Sequence, residues 1–144
     1  MSLQDRLGQI FHDPCFEFND GEVGNKLLIV LGRCCKADNY IVVRTTSKPD
    51  RKSWEYGCHN EEPDPNFFIP VTLGLFPLDT WACLDYLSDL DVVEFNKGLT
   101  KKNRVQKGQL SIDVLKNLLD CASRADDTTQ YQSQILRDVL ATLK

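Results

Sequence analysis

The sequence predicts a mainly-β domain with α elements, in which a small antiparallel barrel carries helices at its C-terminal end. Two adjacent apolar runs, residues 27–31 and 40–43, are separated by a polar stretch, residues 36–39, of the kind that reverses a chain. Clear helical spacing of apolar residues is confined to the last third of the chain and to a short N-terminal segment. Because most strands precede the main helices, this order favours a barrel with helices packed on it.

The N-terminal segment predicts a short helix and then a strand. Residues 2–11 place apolar side chains at helical spacing, at Leu3, Leu7, Ile10 and Phe11. The Asp13-Pro14 pair is expected to end this helix, because the residue before a proline avoids the helical conformation. Residues 15–18 alternate in polarity and predict a strand, and the Asn-Asp-Gly sequence at 19–21 predicts a turn.

The central hairpin is predicted from two runs, residues 26–31 and 40–46, which we expect to pair as neighbouring strands. The second run ends in hydroxyl and cationic side chains, which a rigid hairpin can present to a ligand. A long polar segment, residues 49–66, follows and contains Trp54, Tyr56 and His59. Ordered loops longer than about 12–15 residues are often functional.

The second half of the chain predicts two further strands and two helices. The strands are expected at residues 67–70 and 80–85, whereas residues 84–95 have mixed periodicity and receive no assignment. Ser111 is a suitable N-cap for a helix whose apolar face is formed by Ile112, Leu115, Leu118, Leu119 and Ala122. A last helix follows residues 126–128, and its apolar face is formed by Ile135, Val139, Leu140 and Leu143.

Length and composition are those of one globular domain. The chain has 144 residues, so we assign residues 1–144 to a single domain, with barrel strands and loops at 12–95 and C-terminal helices at 108–144. No apolar run approaches the roughly 18–20 residues of a membrane span. The N-terminus lacks the apolar core of a signal peptide. We therefore expect a cytoplasmic protein with no membrane partner.

The cysteines predict neither a disulfide framework nor a metal site. In a cytoplasmic protein the six cysteines are expected to be reduced thiols, several of them in the core. None has the spacing of standard zinc ligands, so the prediction is no metal and no cofactor. A zinc- or thiol-based protein built on Cys34, Cys35, Cys58 and His59 remains an alternative.

The positive charges are clustered, although the formal net charge is −4. One cluster surrounds the hairpin and comprises Arg33, Lys36, Arg44, Lys48, Arg51 and Lys52. A second comprises Lys97, Lys101, Lys102, Arg104 and Lys107. Local basic clusters on an acidic protein can bind a phosphodiester chain. A solvated basic surface is the alternative interpretation.

Four segments together resemble the PemK/MazF family of toxins: NKLLIVL at 25–31, YIVVRTT at 40–46, TWACL at 80–84 and GQLSIDVL at 108–115. The resemblance implies a small SH3-like (CcdB-like) antiparallel barrel, a homodimer, an antitoxin protein as partner, and cleavage of single-stranded RNA. The family's catalytic Arg matches Lys26, and its catalytic Ser or Thr matches Thr46. The family usually has Arg-Pro where this chain has Lys26-Leu27.

Metal-independent RNA cleavage, if the resemblance holds, uses the ribose 2′-OH as nucleophile, so the protein supplies proton transfer and phosphate charge stabilisation. Lys26 and Arg44 suit charge stabilisation, Thr46 suits hydrogen bonding to a phosphoryl oxygen, and His59 suits proton transfer. Arg44 or Arg33 could supply the guanidinium that the family has at the position of Lys26. The predicted RNA-binding residues are Arg33, Lys48, Arg51, Lys52, Trp54, Tyr56, Lys101, Lys102 and Arg104. A non-catalytic barrel that binds a protein partner is the alternative function.

Overall fold

The computed structural model describes residues 5–18, 20–34, 36–101 and 103–143, which form a mainly antiparallel β structure with three α-helices. The strands are β1 (Gln9–Glu17), β2 (Val23–Cys34), β3 (Asn39–Thr46), β4 (Gly57–His59), β5 (Asn66–Ile69), β6 (Thr80–Cys83), β7 (Ser88–Asp91) and β8 (Val105–Gln109). The helices are α1 (Val92–Thr100), α2 (Ile112–Ser123) and α3 (Gln130–Thr142). The predicted mainly-β class with added helices is confirmed.

Strand β3 joins two parts of the sheet. Its first residues pair with β7, from Asn39 opposite Asp91 to Val42 opposite Ser88, whereas its last two residues pair with β6. The strand order is β4-β5-β6-β3-β2-β1-β8, with β7 beside β3. The pairings between described residues do not join β4 to β8, so the sheet they form is open rather than closed.

The hairpin is apolar along its length because both of its faces are buried. Ile29 and Leu31 of β2 point into one core, which contains the apolar residues of α2 and α3. Leu28 and Val30 point into a second core on the opposite face, which contains Phe95 of α1. Alternate side chains of a strand point to opposite faces, so a strand with two buried faces has no polar alternation. The predicted pairing of residues 26–31 with residues 40–46 is confirmed by the register from Leu28–Arg44 to Val30–Val42.

The helices begin at side-chain caps. Asp91 caps α1 by accepting a hydrogen bond from the backbone N–H of Glu94, 3.0 Å away. Ser111 caps α2 as predicted, and Thr129 caps α3 in a reciprocal capping box with Gln132.

Among the described residues, no helix combines the length and apolarity that a membrane crossing needs.

The predicted N-terminal helix is wrong in the part that the structure describes. Residues 5–8 form a turn, and Gln9–Glu17 is strand β1, which pairs with both β2 and β8. The predicted helix would place Ile10 and Phe11 on one face, but Ile10 enters the α2/α3 core and Phe11 enters the α1 core. Pro14 lies within β1 at a register shift, instead of ending a helix. Residues 2–4 of the predicted helix, and Asn19 of the predicted turn, lie outside the described residues.

The region between the middle strands and α2 contains elements that the sequence did not reveal. The unassigned residues 84–95 contain β7 and the first turn of α1. Strand β8 overlaps the end of the second basic cluster and follows α1, so the strands do not all precede the helices. Its sequence, VQKGQ, has only Val105 as an apolar side chain, and four of its five residues are exposed. A strand at the sheet edge with exposed side chains gives little hydrophobic signal.

A disulfide joins Cys58 of β4 to Cys121 of α2, contrary to the expectation of reduced thiols. The two cysteines are 63 residues apart, and the fold places the edge strand beside the helix. Sequence spacing could not reveal this pair, because neither cysteine lies near another in the chain. Cys15, Cys34 and Cys83 are free.

Removing this disulfide is expected to destabilise the fold. Closing a loop of 63 residues restricts the unfolded chain, and the loop-entropy relation gives about 4 kcal/mol for this length. A Cys58→Ala/Cys121→Ala variant should lose about that much free energy of unfolding in urea denaturation. Cys15→Ala, which removes an exposed free thiol, is the control and should be near neutral. Equal midpoints for the two variants would contradict the prediction.

Candidate functional site

A small cavity lies at the end of the hairpin where its apolar core stops. Leu28 is opposite Arg44 in the register of β2 and β3, and continuing this register places Lys26 opposite Thr46. Residues directly opposite in an antiparallel pair project to the same face. Lys26, Thr46 and Lys48 line a cavity of about 220 Å³ whose other wall includes Pro77 and Leu78. The structure therefore places Lys26 and Thr46, the two residues that the resemblance matches to the family's catalytic pair, in one cavity.

The ammonium group of Lys26 is in a partly desolvated and cationic environment. Burial is the main cause that lowers the pKa of Lys26, and the positive charges of Arg44, Lys48 and Lys52 lower it further, against an opposing influence of the Cys83 sulfur. Its Nζ lies 5.7 Å from the centroid of the Phe18 ring. A bound anion would stabilise the protonated form of Lys26, because it would offset both the repulsion by the neighbouring cations and the lost solvation.

The hydroxyl of Thr46 has one local partner and spare capacity. Its Oγ1 accepts a hydrogen bond from the backbone N–H of Lys48, at 3.2 Å. A hydroxyl also has an O–H donor, so Thr46 can accept this bond and donate another to an anion in the cavity. The neighbouring Thr45 points to the other face and donates to the backbone oxygen of Leu27, at 2.8 Å, which joins the two strands at this level.

Arg44 lies beside the cavity but does not line it. Its Nη2 is 2.6 Å from the carboxylate of Asp85, and its guanidinium lies 4.0 Å from the centroid of the Tyr86 ring. Only 13% of its side chain is exposed. The guanidinium therefore contributes positive charge near Lys26 while its hydrogen bonds go to Asp85 and to the backbone oxygen of Tyr86.

Trp54 and Tyr56 are separated by the sheet, although they are two residues apart. Trp54 is 59% exposed and contacts the ring edges of Trp81 and Phe68, at centroid distances of 4.9 and 5.9 Å. Trp81 is opposite Thr46, so Trp54 lies on the face that carries Lys26. Tyr56 packs on Phe67 on the other face, and its hydroxyl accepts a hydrogen bond from Asn117 of α2.

His59 is not brought to the Lys26 cavity. It lies on edge strand β4, separated from β2 by β5, β6 and β3. Four strand spacings along the sheet are roughly 19 Å, and separate sets of residues line the Lys26 cavity and the cavity at His59. Its Nε2 is 2.7 Å from the backbone oxygen of Glu55, and its ring borders a different cavity with Cys58 and Arg124.

Two arginines of the predicted RNA-binding set form internal ion pairs. Arg33 pairs with Asp38 at 2.7 Å and with Asp5 at 2.9 Å, and the hydrogen bonds from Arg33 to these carboxylates raise its pKa. Arg104 pairs with Asp13 at 2.7 Å and donates a hydrogen bond to the backbone oxygen of Phe95. Its guanidinium also lies over the Phe95 ring. These guanidinium groups hold parts of the fold together.

The remaining predicted cations are distributed unevenly around the cavity. Lys48 is exposed and lines it, and Lys52 is close enough to lower the pKa of Lys26. Arg51 is paired with Asp64 at 3.2 Å on the surface. Lys101 is exposed just after α1, away from the cavity, and Lys102 lies outside the described residues.

Several cavity neighbours were not predicted. Phe18, Cys83 and Tyr86 surround the cations, and Leu78 forms part of the wall. Only the strand register could have identified Cys83, which follows Ala82 in β6 and so lies near Arg44. Burial raises the pKa of the Cys83 thiol, and Arg44 acts against this.

The zinc alternative loses one of its proposed ligands, because Cys58 is bonded to Cys121. Cys35 lies outside the described residues. Within the part of the chain that the structure describes, no group of three or more His, Cys, Asp or Glu side chains is arranged to hold a metal ion.

Comparisons with protein-family models, with curated proteins and with solved structures find no match to this chain.

The Asp13–Arg104 pair provides a test of whether Arg104 has a structural role. Arg104→Met leaves the carboxylate of Asp13, which is 6% exposed, without its guanidinium partner. We expect a loss of about 3 kcal/mol in the free energy of unfolding, since removing one member of a buried pair costs this much. The Asp13→Asn/Arg104→Met double variant should lose clearly less free energy of unfolding than the sum of the losses in the Asp13→Asn and Arg104→Met single variants. Additive losses would contradict a direct coupling.

The lowered pKa of Lys26 predicts a pH dependence of stability. Between the folded pKa and the ordinary value of 10.5, the unfolded state binds more protons at Lys26 than the folded state does. The contribution of Lys26 to the free energy of unfolding therefore rises as pH rises through this window. Urea denaturation from pH 7 to 10.5 should show wild type gaining stability relative to Lys26→Met. A Lys36→Met control should track wild type, and a flat difference for Lys26→Met would contradict the prediction.

Proposed function

We propose that this protein binds single-stranded RNA at the Lys26–Thr46 cavity and cleaves it slowly without a metal ion. The observation that carries the proposal is the meeting of Lys26, Thr46 and Lys48 in one cavity, with Arg44 and Lys52 beside it. A cavity of about 220 Å³ with these donors suits a phosphate group. The local charge favours a polyanion, although the whole chain carries a net charge of −4.

The cavity residues supply parts of the chemistry of phosphodiester cleavage. Cleavage by the 2′-OH requires removal of its proton and stabilisation of the negative charge on the phosphoryl oxygens. Lys48 and the protonated form of Lys26 would stabilise that charge, and Thr46 would donate a hydrogen bond to a phosphoryl oxygen. Because its pKa is lowered, Lys26 gives up its proton more readily than an ordinary surface lysine does. His59 has no part in this proposal, since it lies on the far edge of the sheet.

The preference for single-stranded RNA follows from the aromatic side chain beside the cations. Trp54 is exposed on the same face as Lys26, and an unpaired base can stack on such a ring. A base in a duplex is already stacked between its neighbours and cannot do so without being extruded.

The finer fold and the partners are part of the same proposal. We interpret the sheet, with β3 shared between its two parts, as an open and divergent form of the SH3-like barrel of the PemK/MazF family. Under this interpretation the protein is a homodimer that pairs with an antitoxin protein. Size-exclusion chromatography with light scattering tests the homodimer directly.

A second candidate function is that of a non-catalytic domain that binds a protein partner. The cavity wall favours it, because Pro77 and Leu78 lie exposed there and Leu78 is 59% exposed. Exposed apolar side chains next to cations are typical of protein-binding surfaces. This function predicts protein binding with no RNA affinity at low salt.

Binding and cleavage of a fluorescent single-stranded RNA, measured in chelator at several salt concentrations, test the first proposal. Wild type should bind with an affinity that falls steeply with salt. Lys48→Ala should weaken binding and flatten the salt dependence by about one unit of slope. Lys36→Ala removes the same charge at the opposite end of the hairpin and is the matched control. It should leave binding nearly unchanged.

Three variants separate catalysis from binding. Thr46→Ala should lower the cleavage rate while retaining most of the RNA affinity, because it removes one hydrogen bond and no charge. Arg44→Ala should lower both the cleavage rate and the RNA affinity. Lys26→Arg should retain binding, since the positive charge remains. If wild type and Lys26→Arg neither bind nor cleave RNA at low salt, the proposal fails in favour of the protein-binding function.

A further inference from the structure

The two cysteines of the Cys58–Cys121 disulfide differ in exposure. Cys58 is exposed on edge strand β4, whereas Cys121 has no exposed surface. A thiolate from solution can therefore approach only the Cys58 sulfur while the protein is folded. Attack at one sulfur rather than the other is an important determinant of disulfide exchange.

The surroundings of Cys58 favour an approaching thiolate. A cavity of about 440 Å³ opens beside it and is lined by Cys58, His59 and Arg124, among others. The Nη2 atom of Arg124 lies 4.0 Å from the Cys58 sulfur and is held in place by Asp120, 2.9 Å away. A guanidinium at this distance stabilises negative charge on the attacking sulfur and on Cys58 after cleavage. Glu61 and Glu62 on the cavity wall moderate this attraction.

We propose that the Cys58–Cys121 disulfide is a thiol-exchange site, at which small thiols modify Cys58. A thiolate attacks the Cys58 sulfur, a new disulfide forms between them, and Cys121 leaves as a thiolate that takes a proton. A second thiolate then attacks the sulfur of the bound small thiol, which releases a small-molecule disulfide and leaves Cys58 reduced. In sum, two thiols are oxidised to one disulfide, and the protein disulfide gains two electrons and two protons.

Exchange at Cys58 changes how β4 is attached to the rest of the fold. The disulfide is a covalent tie between this three-residue strand and α2. The hydrogen bonds from Asn117 to Tyr56 and from Asn60 to the backbone oxygen of Cys121 also join this segment to α2. Reduction should therefore loosen β4 without unfolding the sheet, and this site is independent of the proposed RNA activity.

The experiment uses reduced glutathione as the probe and the folded 144-residue chain in a Cys15→Ser background, which removes an exposed free thiol. Without reductant, alkylation and intact-mass analysis should leave Cys58 and Cys121 unmodified. Glutathione in native buffer should then make both alkylatable, faster than global unfolding measured under the same conditions. With oxidised glutathione, the Cys121→Ser variant should gain one adduct, mapped to Cys58, and the Cys58→Ser variant should gain none at Cys121.

A matched pair of arginine variants tests the role of the cation. Arg124→Gln should slow glutathione exchange by about fivefold, the effect of one charge at 4 Å in water. Arg137→Gln, on the exposed side of α3, should leave the rate unchanged. Hydrogen exchange of residues 57–59 should increase on reduction of wild type.

Three results would overturn the proposal. The first is alkylation of Cys58 and Cys121 in the folded protein before any reductant is added. The second is reduction by glutathione no faster than unfolding. The third is an adduct on Cys121 in place of Cys58. The first and second measurements use no change at Cys58 or Cys121, so they decide the matter even if a cysteine variant fails to fold.

Discussion

The pairing of β2 with β3 is the interaction on which the rest of the structure depends. These strands lie in the middle of the sheet, and each contributes to both hydrophobic cores. Helices α2 and α3 cover one face and α1 covers part of the other, so neither layer could form without this hairpin between them. Burial of both faces contributes to stability in proportion to the apolar area removed from water.

The candidate site lies where this double burial ends. Beyond Leu28 and Val42 the positions on the α1 side change to Lys26, Arg44 and Thr46, at a level that α1 does not cover. The rigid hairpin therefore holds cations partly out of water, which is costly unless an anion is present. The rigid hairpin that stabilises the two cores thus also creates the partly desolvated group of cations on which the proposed function rests.

Charge clusters in the sequence overstate the available positive surface. Arg33 and Arg104 belong to the two clusters, yet each forms ion pairs with acids that are remote in the chain or on another element. Arg104 and Asp13 are 91 residues apart, so no local pattern connects them. A smaller set of cations lies around the cavity: Lys26, Lys48, Lys52 and Arg44. These four charges dominate the local electrostatic field there.

The sequence by itself determined the hairpin, the cap at Ser111 and the two C-terminal helices, because these depend on local periodicity and on hydrogen bonds between near neighbours. The register that brings Lys26 and Thr46 together could not be read from the turn, because the pairing of β2 with β3 shifts by one residue between Val30 and Gly32. Only the tertiary structure decided that Ile10 and Phe11 enter different cores, that β8 pairs with β1, and that Cys58 meets Cys121. It also placed His59 far from the cavity. Each of these depends on contacts between residues distant in the chain, and periodicity carries no information about such contacts.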